Sequence, residues 1–297
     1  MRYTQLRAFH YVAVCGGFSR AAEALHLSQP AISDQVRKLE DEYDILLFDR
    51  RKRQVLVTAR GEELLTITRK MFDQEQQALE FLSESSVLNA GTLNLFVDSA
   101  YHVTELLSTF RARYPNIAIS MRVGNSNDVT AALLSYDADI GVLGEVSSSK
   151  EFAMVRLGAS PLVAFAAKDS IYGKARLDSY DMLLDYPLVL REIGSKTRQK
   201  LEEAAQGYGV VLKPAMVIEG REGVREVVAS GSGIGFVSMA EFSPDPRLVK
   251  IDLPAPCPVM EEVIVCLNDR KNQKLIKAFM TLAGDIPNTI DAKATSA

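Results

Sequence analysis

Ser28-Gln29-Pro30, then Ser33, then Arg37 one turn later, set polar side chains along one side of a stretch whose spacing predicts a helix. Short donors and acceptors at the start of an exposed helix suit hydrogen bonding to base edges in the major groove of duplex DNA. The elements needed to present them are legible around them. Ser28 is expected to cap this helix, because its hydroxyl accepts an orphan amide hydrogen, and Pro30 sits in the first turn, where its missing N–H costs nothing. Ala31, Ile32, Val36 and Leu39 recur at helical spacing on the other side. Upstream, a shorter helix is expected to follow Ser19 as its cap, with Ala21, Ala22, Leu25 and Leu27 on its apolar face. Small residues at Ala21-Ala22 let the two helices cross closely. Before these, Thr4 to about Val14 reads as a helix with Leu6, Phe9, Val12 and Ala13 inward, ended by Gly16-Gly17.

Downstream, Leu46-Leu47-Phe48 leads into Asp49-Arg50-Arg51-Lys52-Arg53-Gln54-Val55-Leu56-Val57-Thr58, which reads as a β-wing with a basic tip. Arg50, Lys52 and Arg53 beside a groove-reading helix suit phosphates or the minor groove. Elsewhere such a run is a solvated face. Residues 1–60 carry ten Lys/Arg and seven Asp/Glu, so the head is at +3 within a chain of net charge −4. This favours a nucleic-acid module only weakly. Thr58 is expected to cap a long helix over about Ala59–Ser86, roughly 42 Å if unbroken. Its stripe of Leu64, Ile67, Met71, Ala78, Phe81 and Leu82 is expected to pair with a second copy; packing on the chain's own body is the alternative.

The segment Phe18–Glu40, with Thr4–Phe9 before it and Leu47-Phe48-Asp49-Arg50 after it, resembles the LysR-type transcriptional regulators. The resemblance covers the whole chain in layout and is most specific over Met1–Ser86. Met1–Arg7, Asp34–Glu40 and Arg50–Val55 resemble more narrowly the members associated with aminoethylphosphonate catabolism. The resemblance implies a winged helix-turn-helix, a long linker helix, and an α/β effector domain of two lobes like those of periplasmic binding proteins. The corresponding spans are 1–58, 59–90 (including the hinge Ser83–Gly91) and 91–297. Lobe I is expected at about 91–160 and 268–287, and lobe II at about 161–267, with crossovers near Ala159-Ser160-Pro161 and Leu267-Asn268. Many members carry a cation where this chain has Asp34; an acid there accepts from a cytosine amine or orients a neighbouring Arg.

The residues of the body support that layout. Segments at 93–97, 117–123, 139–144, 154–157, 162–167, 188–190, 215–218, 235–237 and 263–267 read as strands. Helical patterns at 100–114, 128–136, 196–206, 221–230 and 273–283 alternate with them, which suggests a parallel-rich sheet. The tail from Asn288 is polar and expected to be disordered. Four turns carry donors at helix starts: Asp98-Ser99-Ala100-Tyr101, Gly124-Asn125-Ser126-Asn127, the stretch from Arg191 through Ser195 and Thr197 to Arg198, and Glu219-Gly220-Arg221-Glu222. Helix-start amides favour anions. Ser99, Ala100, Asn125, Ser126, Ser195, Thr197 and Arg221 are therefore candidate effector contacts, with Arg191, Lys196 and Arg198 as further cations. Each Ser, Thr or Asn taken singly is as readily a helix cap. If the narrower resemblance holds, the effector is a phosphonate or a product of one.

Expected partners are double-stranded DNA at an inverted-repeat promoter site, a small-molecule effector, a second copy in a homodimer or homotetramer, and RNA polymerase as a further candidate. No membrane partner, cofactor or metal is expected. No run reaches the roughly 18 apolar residues of a membrane span, and the first residues lack a secretion-signal layout, so a cytoplasmic protein is expected. Cys15, Cys257 and Cys266 have no metal spacing and read as reduced, buried thiols. His102 near Ser99 has no acid matched to it in sequence, and His26 fits a DNA or a packing role equally. Gly231-Ser232-Gly233-Ile234-Gly235 follows a helix and enters a strand, the reverse of a dinucleotide loop. The rival reading is a cytosolic α/β small-molecule-binding or enzymatic protein whose helical head does not touch DNA; no catalytic constellation supports an enzyme.

Overall fold

The computed structural model describes residues 2–49, 55–82, 91–145 and 150–285. Two compact units divide the chain near residue 85. In the first, α1 (Tyr3–Cys15), α2 (Phe18–Leu25) and α3 (Gln29–Tyr43) precede β1 (Phe48–Asp49), β2 (Leu56–Val57) and α4 (Ala59–Leu82). Gly16 closes α1 in the left-handed region, at φ 69. Ser28 caps α3, accepting the Ala31 N–H at 3.4 Å. Ser19 does not cap α2: the helix begins at Phe18 with Gly17 as its cap. Packing of the half-buried Phe18 on Phe48 (rings 5.7 Å apart) and the Arg20 guanidinium, bonded to the Cys15 and Gly16 carbonyls, accompany that earlier start. His26 ends α2 at φ 54 and is exposed.

Phe9, Val12, Ala21, Ile32, Val36, Leu39, Leu47 and Phe48 form the core of this unit. Thr58 caps α4, accepting from the Gly61 N–H at 3.1 Å. The expected single stripe on α4 divides. Leu65 is buried against the head core, with Leu64 and Met71 at its margin. Ile67, Phe81 and Leu82 are 65%, 90% and 75% exposed. The hinge at 83–90 and the tail from 288 lie outside the described residues.

In the second unit β3 (Gly91–Val97) leads through a 3₁₀ turn (Ala100–His102) to α5 (Thr104–Arg113), β4 (Ile117–Val123), α6 (Ser126–Leu134), β5 (Ile140–Gly144) and β6 (Phe152–Ala167). Then follow β7 (Leu188–Arg191), α7 (Lys196–Gln206), β8 (Pro214–Ile218), α8 (Arg221–Ala229), β9 (Gly235–Ser238), a 3₁₀ turn (Met239–Glu241), β10 (Leu248–Ile251), β11 (Val259–Leu267) and α9 (Lys274–Asp285). The large sheet has the order β10-β6-β11-β5-β3-β4, with β9 also on β6. β3 is parallel to β4 and β5, and β7 to β8, but β11 and β6 run antiparallel to their neighbours. The sheet is mixed rather than parallel-rich.

One core gathers Leu93, Leu95, Phe110, Ile140, Ile264 and Phe279; another gathers Leu162, Leu188, Leu201, Ile234 and Phe236. These are two lobes, and β6 and β11 traverse both. The two strands expected at 154–157 and 162–167 are one strand, which continues through Ser160 and an exposed Pro161, where a missing N–H is tolerated. The pairing of β11 shifts between Glu262 and Val263, and from Glu262 to Val265 it pairs with β5. The second passage between lobes therefore falls at this bulge rather than near Leu267-Asn268. β10 was not expected, because prolines at 244, 246 and 254 mask a short strand that only pairing with Ala164–Ala167 stabilises. The three cysteines are free, and only Cys266 is fully buried.

Candidate nucleic-acid interface and effector cleft

On α3, burial of Ile32, Val36 and Leu39 against the head core turns the opposite side outward. Ser28, Gln29, Pro30 and Arg37 are exposed, and Ser33 is half-buried on the same side. Asp34 accepts from Lys38 Nζ at 2.6 Å and from Arg37 Nη2 at 3.5 Å. The Lys38 hydrogen bond, joined by the Arg37 charge, holds its carboxyl below the usual range. Lys38 is its close partner, and the Arg37 contact stands at the limit of a hydrogen bond between exposed side chains. Arg50, Lys52 and Arg53 lie outside the described residues.

Glu40 went unnoticed in the sequence because it stands in the charged run Lys38-Leu39-Glu40-Asp41-Glu42. It is 6% exposed and accepts the N–H groups of Leu47 (2.8 Å) and Phe48 (3.2 Å), tying the end of α3 to the first wing strand. Its position four residues after Val36, on the buried face, was the available signal.

In the second unit the turns after β3, β4, β7 and β8 border two adjoining cavities of 220 and 560 Å³, which share Ser99, Ala100, Arg191, Arg221 and Glu222. The smaller is walled by Phe165, Phe236 and Phe242 and by Thr197; the larger by Asp98, Asn125, Glu192 and Glu219. Ser99, Ala100, Asn125, Thr197 and Arg221 are thus brought together. Ser126 and Ser195 form no part of either wall and are 3% and 4% exposed. The Ser126 hydroxyl donates to Asp98 Oδ2 at 2.9 Å, and Asn125 Oδ1 caps α6 by accepting from the Asn127 and Asp128 amides. Lys196 donates to Gln199, and Arg198 donates to Glu202 and the Arg191 carbonyl, away from both cavities.

The wall's cations already face carboxylates, a feature that local sequence could not show. Arg191 makes a forked pair with Glu192, at 2.8 and 2.6 Å. Burial pushes the Glu192 carboxyl up, and the Arg191 bonds outweigh it, leaving it lowered. Arg221 bonds Glu241 and lies 4.0 Å from Asp98. Burial opposes the Glu241 charge, but the Arg221 and His102 charges hold that carboxyl down at about 2. Gly194, at φ +99, brings the second lobe against the first: a Cβ there would stand 2.8 Å from Asn125 Oδ1.

His102 is not the acid-free histidine expected. Its side chain is 0% exposed, with Nε2 3.0 Å from Glu241 Oε1 and 3.5 Å from Glu262 Oε1. Burial, then the charges of Asp98 and Glu241, push the Glu262 carboxyl well above its ordinary range.

Residues 3–62 match the family model described as the bacterial regulatory helix-turn-helix protein, lysR family, and residues 86–285 match the LysR substrate binding domain. A RuBisCO operon transcriptional regulator of Allochromatium vinosum is 33% identical over 254 residues, covering 84% of each chain. The transcriptional activator CmpR of Synechocystis is 29% identical, over 79% of this chain and 78% of its own length. Among solved structures, a full-length OxyR variant from Pseudomonas aeruginosa superposes with TM-score 0.76 at 21% identity, covering 97% of this chain and 96% of that one. Full-length CbnR in complex with its target DNA gives TM-score 0.64 at 18% identity, covering 95% and 98%. Both solved structures share the fold.

Proposed function

This chain belongs to the LysR family of bacterial transcriptional regulators, and from that premise we propose how its own residues read DNA and sense an effector. It is a DNA-binding regulator with an effector-binding domain, it acts as an oligomer, and it is not an enzyme. No helix among the described residues is long and apolar enough to cross a membrane.

In this reading Gln29, Pro30 and Ser33 meet base edges, with Ser28 at the cap. Arg37, Arg50, Lys52 and Arg53 meet phosphates or the minor groove. Asp34 holds Arg37 ready for such a contact. The observation that carries this is the exposed polar tip of α3, with Ile32, Val36 and Leu39 buried on the opposite side.

The effector is a small anion. Ser99, the Ala100 amide, Asn125, Thr197 and Arg221 receive it, and Ser126 acts by holding Asp98. Ser195 stands at the start of α7, where its backbone carbonyl accepts the Gln199 N–H and its hydroxyl makes no capping bond. The anion takes over Arg221 or Arg191 from their carboxylates, and that exchange is what changes the angle between lobes and hence the spacing of DNA heads. The narrower likeness to regulators of aminoethylphosphonate catabolism gains no support from the relatives above, two of which are a RuBisCO operon regulator and CmpR. The wider anionic class is the reading kept.

Binding to the promoter beside its own gene, and to a random duplex, over a salt series tests the DNA half. A steep fall with salt and a preference for the promoter are expected. A flat response or equal affinities would overturn it. Thermal-shift titration with carboxylates, sugar phosphates and phosphonates tests the other half. One class is expected to raise the midpoint with concentration, and none doing so would overturn an anionic effector.

A further inference from the structure

We propose that His102, Glu241 and Glu262 form a binding site for a first-row divalent metal ion, of the Zn²⁺ or Mn²⁺ kind, which clips the two lobes together behind the effector cleft. One nitrogen and two carboxylate oxygens, one from each residue, lie within 4.8 Å of one another. Metal–ligand bonds of about 2.1 Å at a tetrahedral centre set ligand atoms about 3.4 Å apart. The observed separations from His102 Nε2 are 3.0 and 3.5 Å. An imidazole with two carboxylates is a donor set for Zn²⁺, Mn²⁺ or Fe²⁺ rather than for Mg²⁺ or Cu⁺.

Acidic side chains alone would not make a site. Here buried atoms lie in contact with one another yet make no hydrogen bond of proper geometry. Both ring nitrogens of His102, both oxygens of Glu262 and Oε2 of Glu241 accept or donate no hydrogen bond, and the three side chains are 0%, 0% and 4% exposed. Buried polar atoms are nearly always satisfied, so a group of them with one ligand atom from each residue within 4.8 Å calls for a ligand. The surroundings agree. Arg221 is taken up by Glu241 and lies 4.0 Å from Asp98, so among the described residues Glu262 has no ion-pair partner of its own beyond His102 at 3.5 Å. A divalent ion would supply the positive charge that lets this buried carboxyl ionise.

The three ligands come from separate elements. His102 ends the turn after β3 in the first lobe, Glu241 ends the turn after β9 in the second, and Glu262 stands at the bulge of β11 where the chain passes between them. An ion held by all three joins both lobes at their crossing. Glu241 also holds Arg221 in the wall of the smaller cavity, which is the route by which the ion enters and the link by which it bears on the effector.

The full chain, stripped with EDTA and returned to chelator-free buffer, is titrated with ZnCl₂ and with MnCl₂ by calorimetry. One ion per chain is expected. Glu262→Gln and His102→Gln are expected to weaken it more than about 100-fold, with an unchanged thermal melting of the effector domain as the check on folding. Pulsed electron paramagnetic resonance of Mn²⁺ on the unmodified chain is expected to show coupling to an imidazole nitrogen, a readout that needs no variant. No binding, affinity unchanged in both variants, or bound Mn²⁺ without nitrogen coupling would each overturn the site. None of these outcomes bears on DNA reading or on the anion, so the regulatory reading stands or falls separately.

Discussion

Glu40→Ala removes one carboxylate and leaves two donors buried. Leu47 and Phe48 are 0% and 2% exposed, so water cannot replace the lost acceptor. A hydrogen bond to a charged group contributes about 1.5–3 kcal/mol net, and the longer of these two, at 3.2 Å, belongs at the low end. The expected cost is about 3–4 kcal/mol, a large part of the stability of a small domain. It falls where α3 meets β1, so the wing should detach before the three-helix core opens. Hydrogen–deuterium exchange of the full chain reads this directly. Amides of Leu47 and Phe48 should exchange more than about 100-fold faster, since each 1.4 kcal/mol is a factor of ten. Amides of α1 should change little. Glu40→Gln keeps one carbonyl acceptor without charge and should cost about half as much. Promoter affinity should fall with wing order. Unchanged exchange at Leu47 and Phe48 in Glu40→Ala would refute the reasoning, because it would mean that other groups satisfy those amides.

Gln29→Ala should weaken promoter binding by about 1–3 kcal/mol and leave random-duplex binding unchanged; anisotropy titrations on both duplexes check it, and equal losses would remove Gln29 from the base readers. His10 packs between α1 and α4, its Nδ1 3.1 Å from Thr68 Oγ1 and its ring 4.6 Å from Phe72. Burial, with the Arg69 charge second, lowers it to about 4. The folded head therefore prefers neutral imidazole, so its stability is full above about pH 6.5 and is lost as pH falls toward 4, by about 2 kcal/mol. Melting of the head between pH 7.5 and 4.5 should show that slope, and His10→Phe should flatten it. Gly194→Val should strain a left-handed backbone and drive a Cβ toward Asn125 Oδ1, at 2.8 Å. We expect it to cost about 1–3 kcal/mol and to blunt the anion response in thermal shift; an undiminished response would show that closure at Gly194 is not needed.

The head was legible because its rules are local. Ser28 before Gln29-Pro30, glycine after Cys15, and apolar residues at helical spacing name three helices without reference to anything distant. Where another force competed, local rules misplaced the detail. Ser19 is the expected cap of α2, but packing of Phe18 on Phe48 draws the helix start earlier. The stripe on α4 looked continuous, yet Leu65 and Met71 serve the head core while Phe81 and Leu82 face outward. In the body, Ile117–Val123 and Lys196–Gln206 are found at the expected bounds, since each is framed by its own turn residues. The strands expected at 154–157 and 162–167 instead join into one, which runs through the expected crossover at Ala159-Ser160-Pro161.

The sequence by itself determined the helix-turn-helix, the cap at Ser28, the polar side of α3 and the alternation of strands and helices that follows. These depend on contacts a few residues apart, and the periodicity of side chains encodes them. Only the tertiary structure decided that Asn125, Thr197 and Arg221 border one cleft while Ser126 and Ser195 do not, that Arg191 and Arg221 meet it already paired, and that His102 has Glu241 and Glu262 for company. Those neighbours are separated by long stretches of chain. The antiparallel course of β6 and β11 brings them together, and pairing between distant strands leaves no mark in the local pattern of either.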